Sequence, residues 1–198
     1  MRYLKPSLVT IILLLFTLPI FSKTDITIQK YWSSIGVGLS YFKHNMGVTG
    51  KLDGCIQLER FLLQTRYILN YEYNILDLLV VGEKHLPRRY VNDIGLLCGF
   101  MILDSRIIDL TISGGCSINF GKNRGDLIEI HESALFGDSY HYKSDNYITF
   151  GVPLDFQFRF TGGKNIGVGF TLGVNINNRL TYICGLVTFT IGKLKSIK

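Results

Sequence analysis

The sequence is poor in proline and in charged residues, and both shortages limit the class of protein. Only 4 of the 198 residues are proline and 18% are charged, whereas 47% are hydrophobic. A chain with this much apolar and this little charged surface is not intrinsically disordered. The 21 glycines, 11 tyrosines and 13 phenylalanines favour strands and turns over a helical bundle. We therefore expect one folded domain that is rich in strands.

The sequence also lacks motifs for metal or nucleic-acid binding. Its four cysteines, Cys55, Cys98, Cys116 and Cys184, do not have the Cys-x-x-Cys spacing of zinc sites. Cys98 and Cys116 would lie offset on the two arms of one hairpin, so we expect buried or lipid-facing free thiols. No basic patch interleaved with aromatic residues indicates nucleic-acid binding. We expect no cofactor, no bound metal and no nucleic-acid partner.

The first residues have the pattern of a secretory signal. Arg2 and Lys5 precede an apolar run from Leu8 to Phe16, and the small residue Ser22 follows. This run is shorter than the roughly 20 residues with which a helix spans a bilayer. We predict a cleaved signal peptide over residues 1–22 and a mature domain over residues 23–198, with an uncleaved anchor as the alternative.

Alternation of apolar and polar residues with a period of two dominates the mature chain. From Ile148 to Phe160 every even position is apolar, whereas Asp155, Gln157 and Arg159 occupy odd positions. Such alternation predicts a strand with one apolar and one polar face. The pattern recurs in eight segments of about the length that crosses a membrane at a tilt.

Short and long links alternate between these segments. The tight turns are predicted at Arg60–Phe61, Leu103–Arg106 and Thr161–Lys164. The links at the opposite end of the strands are predicted at His44–Lys51, Asn74–Asn92, Gly121–Asp145 and Asn177–Arg179. With the amino terminus in the periplasm, the tight turns face the periplasm and the two long loops face outside, as is typical of outer-membrane barrels.

The composition of the two faces predicts which of them points inward. The polar face is largely glycine, serine, threonine and asparagine, which suit a narrow lumen, whereas the bulky phenylalanines and leucines of the other face suit lipid. We predict an all-β fold, an eight-stranded antiparallel up-and-down transmembrane β-barrel. A soluble lipocalin-like carrier of an apolar ligand would have the opposite faces.

Charged residues on the polar face would have to pair inside such a barrel. Eight strands leave an interior that side chains just fill, and buried charges need partners. We therefore predict a structural network in the lumen rather than a transport or catalytic site. Its predicted members are Glu59, Arg66, Glu72, Asp109, Asp155 and Arg159.

The carboxy-terminal segments carry a resemblance to a known group. "FGVPLDFQFRFTGGKNIGVGFTLGVNINN" followed by "LTYICGLVTFTIGKLK" resembles small Bacteroidota-type outer-membrane β-barrel proteins. Gly151-Val152-Pro153, Gly167-x-Gly169, Asn175-x-Asn177 and Ile191–Leu194 stand at the recurring positions of that group. The resemblance implies an outer-membrane location, insertion by the barrel-assembly machinery, and contact with outer-membrane lipid and lipopolysaccharide.

One loop contains residues that an enzyme could use. His131 and Ser133 resemble the pair at the barrel rim of PagL-like lipid A deacylases, in which histidine is the general base for serine. The flanking pattern of that family is missing, and the histidines at 131 and 141 have no strong metal-ligand spacing. We expect a structural or surface-interaction role without pore or enzymatic activity, and a lipid-modifying enzyme is the alternative.

Overall fold

The computed structural model of the protein describes residues 28–42, 45–73, 89–131 and 139–195. Neighbouring strands pair antiparallel in chain order, and the last strand pairs with the first to close a barrel. The strands are β1 Ile28–Phe42, β2 Asn45–Leu58, β3 Phe61–Tyr73, β4 Arg89–Asp104, β5 Ile108–His131, β6 Ser139–Thr161, β7 Ile166–Asn177 and β8 Tyr182–Lys193. The predicted signal peptide, residues 1–22, lies outside the described residues. Among the described residues, no helix is long and apolar enough to cross a membrane.

The alternation in the sequence corresponds to two faces of the barrel wall. In β7, Val168, Phe170 and Leu172 are exposed on the outside, whereas Thr171 and Asn175 are buried inside. Every strand of the barrel presents large apolar side chains to the surroundings in the same way. This is the arrangement of a transmembrane barrel and the opposite of a lipocalin, whose apolar face lines its cavity.

Short turns connect the strands at one end of the barrel, which we call the turn end. They join β2 to β3, β4 to β5 and β6 to β7, and β1 begins at this end. The first turn is formed by Glu59 and Arg60 rather than by Arg60–Phe61 as predicted. Glu59 has a positive φ of 57°, which reverses the chain within two residues. The opposite end of the barrel is called the loop end.

Two predicted links at the loop end are wrong over most of their length. Residues 45–51, predicted as a loop, belong to β2 and continue its alternation, with Val48 outside and Thr49 inside. Residues 121–131 continue β5, and β6 already begins at Ser139. Both segments are polar enough to resemble loops, but backbone pairing with the neighbouring strand extends through them.

The barrel wall is much taller on one side than on the other. β5 has 24 residues and β6 has 23, whereas β7 and β8 have 12 each. Pairing of β6 with β7 begins only at Gly151, and pairing of β4 with β5 ends at Asn123. Residues 124–131 and 139–144 therefore form a two-stranded ribbon beyond the rim, which we call the β5–β6 ribbon.

A β-bulge lies in β4 next to the turn end. Met101 pairs with Thr111 and Leu103 pairs with Leu110, so Ile102 is an extra residue in the strand. As a result Ile102 and Leu103 are both exposed on the outside. Asp104 instead bonds to Lys30 of the interior, whereas strict alternation would have placed its carboxylate on the apolar face.

Polar side chains fill the middle of the barrel and apolar side chains pack towards each end. The cluster nearer the loop end consists of Phe42, Ile68, Val91, Leu180, Tyr182, Cys184 and Leu186. The cluster at the turn end consists of Trp32, Cys55, Leu62, Met101 and Leu194. The charged groups between them are therefore shielded from water on both sides.

Candidate functional site

The centre of the barrel holds a network of buried ion pairs around Asp155. Lys51 Nζ lies 2.9 Å from Asp155 Oδ2 and 2.9 Å from Asp53 Oδ2. The Arg66 guanidinium donates to Asp155 Oδ1, and its Nη2 lies 2.6 Å from Asp93 Oδ2. All of these side chains are almost completely buried. Charges removed from water need such partners, because a buried charge that lost its partner would be uncompensated.

Asp93 connects strands from several sides of the barrel. Its Oδ2 accepts hydrogen bonds from Arg66 of β3, from the Tyr182 hydroxyl of β8 and from Asn175 Nδ2 of β7. Asn175 also donates to Ser117 Oγ of β5 at 2.9 Å. A Cβ at Gly151 would clash with Asn175 Oδ1, so glycine at that position leaves room for the amide.

Side chains fill the space around the central network. Ile68, Leu97 and Leu186 have no exposed surface, and neither do Asp93 and Asn175. The arrangement is suited to holding the wall together.

A second group of charges lies closer to the turn end. Lys30 Nζ lies 2.7 Å from Asp104 Oδ1 and 3.3 Å from Asp109 Oδ1. Arg159 Nη2 lies 2.7 Å from Asp109 Oδ2, and its guanidinium carbon lies 4.0 Å from the centre of the Trp32 ring. This cation–π contact joins the second network to the apolar cluster beside it.

A third, smaller group lies near the loop end. Glu72 Oε1 accepts a hydrogen bond from Asn45 Nδ2 at 2.6 Å, and Arg89 Nε lies 3.5 Å from Glu72 Oε2. Glu72 is buried, but the Arg89 side chain is 41% exposed, so this pair lies where the interior opens at the loop end. The interior charges thus form three separate groups along the barrel axis.

Five of the six charged residues predicted for the lumen lie in these groups, and Glu59 does not. Arg66 and Asp155 belong to the central group, Asp109 and Arg159 to the second, and Glu72 to the third. The placement predicted for Glu59 is wrong because this residue forms the β2–β3 turn and is exposed. The turn interrupts the alternation on which its placement depended.

The prediction missed four interior charges: Lys30, Lys51, Asp53 and Asp93. Lys51 and Asp53 share odd numbering with the predicted inward residue Gln57, so alternation extended by three two-residue repeats towards the loop end would have found them. Asp93 has the parity of Gly95 and could have been found in the same way. Lys30 lies two residues before Trp32 on the same face of β1.

The alternative rim site is only partly covered by the described residues. His131 ends β5 and pairs through its backbone with Ser139, and Glu129 pairs with His141. Ser133 lies outside the described residues. Among the residues that the structure describes, no cluster of three or more histidine, cysteine or acidic side chains could hold a metal ion.

All four cysteines are free thiols, as expected. Cys55 and Cys184 are buried inside, whereas Cys98 and Cys116 are exposed on the outer face. Cys98 pairs with Gly114 and Cys116 pairs with Leu96, so the two outer thiols are offset along the β4–β5 hairpin.

The fold is that of known eight-stranded outer-membrane barrels. The attachment invasion locus protein Ail of Yersinia pestis is 10% identical, with a TM-score of 0.55, over 84% of this chain and 99% of that chain. The structure of Ail in complex with the heparin analogue sucrose octasulfate has the same TM-score of 0.55. Neisserial surface protein A is 8% identical, with a TM-score of 0.55, over 86% of this chain and 99% of that chain. No family model matches the sequence, and no curated protein is similar to it in sequence.

Proposed function

We propose that the protein is an outer-membrane barrel that interacts with the cell's surroundings through its β5–β6 ribbon. The observation that carries this proposal is the contrast between a filled interior and a two-stranded extension beyond the rim. A filled interior leaves the surfaces at the two ends as the places where function can lie. The apolar outer wall supports a location in a bilayer.

An outer-membrane location would give the protein two further kinds of partner, lipids and the machinery that inserts it. The outer wall contacts outer-membrane lipid and lipopolysaccharide, and the barrel-assembly machinery inserts the chain. We propose neither a nucleic-acid partner nor an enzymatic activity. The resemblance to Bacteroidota-type barrels stays a prediction.

The loop end offers both an open strand edge, on β6, and exposed positive charge on and beside the ribbon. Pairing of β6 with β7 begins at Gly151. Over residues 139–150, the edge of β6 on the β7 side is therefore not paired with β7. Lys122 and Lys143 are exposed on the two arms of the hairpin, and Arg179 is exposed in the neighbouring link. Exposed strand edges and clustered cations are both features that partners recognise.

A sulfated glycan is the first partner to test. The similar barrel Ail was solved with a heparin analogue, and the exposed lysines of this chain would attract the same kind of polyanion. The refolded protein would be passed over immobilised heparin in parallel with the double variant Lys122→Ala/Lys143→Ala, which removes one exposed lysine from each arm of the hairpin. Both proteins would first be tested for a heat-dependent shift in gel mobility, which reports a closed barrel.

We expect the double variant to keep the heat-dependent shift and to lose most of its retention on heparin. Lys164→Ala, at the turn end, is the matched control and should be retained like the unchanged protein. Equal retention of the double variant and the unchanged protein would contradict a role of these two lysines in this interaction.

The absence of enzymatic activity has a separate test. Lipid A would be compared by mass between cells with and without the protein, and between cells that carry His131→Ala or Ser133→Ala. We expect identical masses in all of them. A loss of one acyl chain that requires both residues would establish the deacylase alternative.

A further inference from the structure

A recess of about 1240 Å³ opens at the turn end, between the β2–β3 turn and the β4–β5 turn. Its lining combines residues of the barrel interior with residues of the outer wall, so it extends from the mouth of the barrel towards the lipid-facing surface. The charges that pair in the centre of the barrel are not part of it. The recess is therefore separate from the β5–β6 ribbon and from the central network.

The inner side of the recess is polar and contains an acceptor without a partner. Gln57 is 1% exposed, and its Nε2 donates to the Glu59 carbonyl at 2.5 Å and to Asp104 Oδ2 at 3.4 Å. Its Oε1 is buried and has no hydrogen-bond partner among the described residues. A buried acceptor without a donor is costly, so this position favours a ligand that supplies an N–H or O–H.

The rim of the recess carries positive charge. Arg60 and Arg106 come from the two turns, and Lys195 follows the last strand. Arg60 and Arg106 are exposed, and Lys195 is half-buried. Guanidinium and ammonium groups at a bilayer surface bind phosphate oxygens, and arginine does so with two parallel hydrogen bonds.

The outer side of the recess is apolar because of the bulge in β4. The extra residue Ile102 and its neighbour Leu103 are both exposed there, and Phe61 completes this wall. Phe61 packs against Phe100 with ring centres 4.9 Å apart. A ligand that occupied the whole recess would therefore need a polar group inside and an apolar chain along the outer wall.

We propose that the recess binds one phospholipid of the adjacent leaflet, with an ethanolamine headgroup. The phosphate would contact Arg60, Arg106 and Lys195 at the rim. The ammonium would donate to Gln57 Oε1 and face the Asp104 carboxylate, which is 40% exposed. One acyl chain would lie against Ile102 and Leu103. This assignment depends on the proposed membrane location, but not on the ribbon.

The three headgroups that test this proposal differ in what they can donate. Phosphatidylethanolamine supplies a charged N–H donor, and phosphatidylglycerol supplies neutral hydroxyls. Phosphatidylcholine carries a positive charge but has no N–H or O–H in its headgroup. The refolded protein would be incubated with each lipid in detergent, and native mass spectrometry would count the lipids that remain bound.

We expect one retained phosphatidylethanolamine, with about tenfold weaker retention of phosphatidylcholine, a difference of about 1.4 kcal/mol. Gln57→Leu, which removes the acceptor from the recess, should remove this preference. Arg106→Ala should weaken retention of all three lipids, and Arg179→Ala at the loop end is the matched control. Each variant is included only if its mobility on a gel shifts on heating.

Two results would overturn the assignment. Equal retention of the three lipids by the unchanged protein would show that the headgroup is not recognised. Retention that is unaffected by Gln57→Leu and Arg106→Ala would place any bound lipid elsewhere on the barrel. Cells that express the protein would also be separated into membrane and soluble fractions. Protein in the soluble fraction would contradict the proposed location, whereas membrane-bound protein without headgroup preference would contradict only this site.

Discussion

Lys51 Nζ of β2 lies 2.9 Å from Asp155 Oδ2 of β6, across the full width of the barrel. Three strands separate β2 from β6 in either direction around the closed sheet. This contact therefore adds nothing to the pairing of neighbours and instead holds two opposite parts of the wall at a fixed separation. Asp155 also accepts from Arg66, so one carboxylate joins two buried cations that each have a second acidic partner, Asp53 and Asp93.

Asp155→Asn should destabilise the barrel strongly. The amide keeps the shape of the side chain but removes the carboxylate that contacts both Lys51 and Arg66, and its NH2 group would face one of these cations. Lys51 keeps Asp53 and Arg66 keeps Asp93, so we expect a cost of about 3 kcal/mol, the lower end of the range for breaking a buried ion pair. The free energy of unfolding would be measured by urea titration of the protein in lipid vesicles. Asp145→Asn, at an exposed position of β6, is the control and should change stability little.

Leu172→Arg should oppose insertion into the membrane. Leu172 is in the middle of β7, is exposed on the outer wall and pairs with the equally outward Phe156. An arginine on the lipid face at the bilayer midplane costs about 2–4 kcal/mol. Folding yields in vesicles would be compared with Ser144→Arg, at an exposed position of the β5–β6 ribbon. Equal yields for the two variants would contradict the assignment of the outer wall to lipid.

Glu59→Gly should stabilise the β2–β3 turn. Glu59 has a φ of 57°, in the left-handed region that costs a residue with a Cβ about 1–2 kcal/mol. Glycine avoids this cost but loses more backbone freedom on folding, so we expect a net gain of up to about 1 kcal/mol. Glu59→Val should instead destabilise the protein. The urea midpoints of the two variants should move in opposite directions, and a shared direction would show that backbone strain does not decide this position.

The filled interior should block small solutes. Liposomes that contain the protein should swell in arabinose no faster than protein-free liposomes, because Leu97 and Leu186 have no surface exposed to a channel. Light scattering would follow the swelling. Rates that increase with the amount of folded protein would show that the interior opens.

Alternation in the sequence was sufficient to predict the eight strands and their two faces, because successive side chains of a strand point to opposite faces of the sheet. It failed where that rule is interrupted: Glu59 lies in a turn, and Ile102 is an extra residue in β4. The positions of strand ends were also wrong at the loop end, where polar segments continue to pair.

The pairing inside the barrel was beyond what the sequence could show. Alternation places Arg66 and Asp155 on the inner face, but 89 residues separate them, and their contact depends on the curvature and register of the whole wall. The same is true of Asp93, whose partner Tyr182 is 89 residues away. Local patterns predict the side on which a charge lies, and only the closed sheet determines its partner.

The contact across the barrel also has a consequence for the order of assembly. The two buried cations lie on β2 and β3, early in the chain, whereas the carboxylate that they share lies on β6. A partly inserted sheet of the first five strands would hold Lys51 and Arg66 without Asp155. In such a sheet Lys51 would still have Asp53 as a partner and Arg66 would still have Asp93, so the cations form two separate pairs. The arrival of β6 adds the one carboxylate that joins the two pairs, and the central network is complete only from that step on.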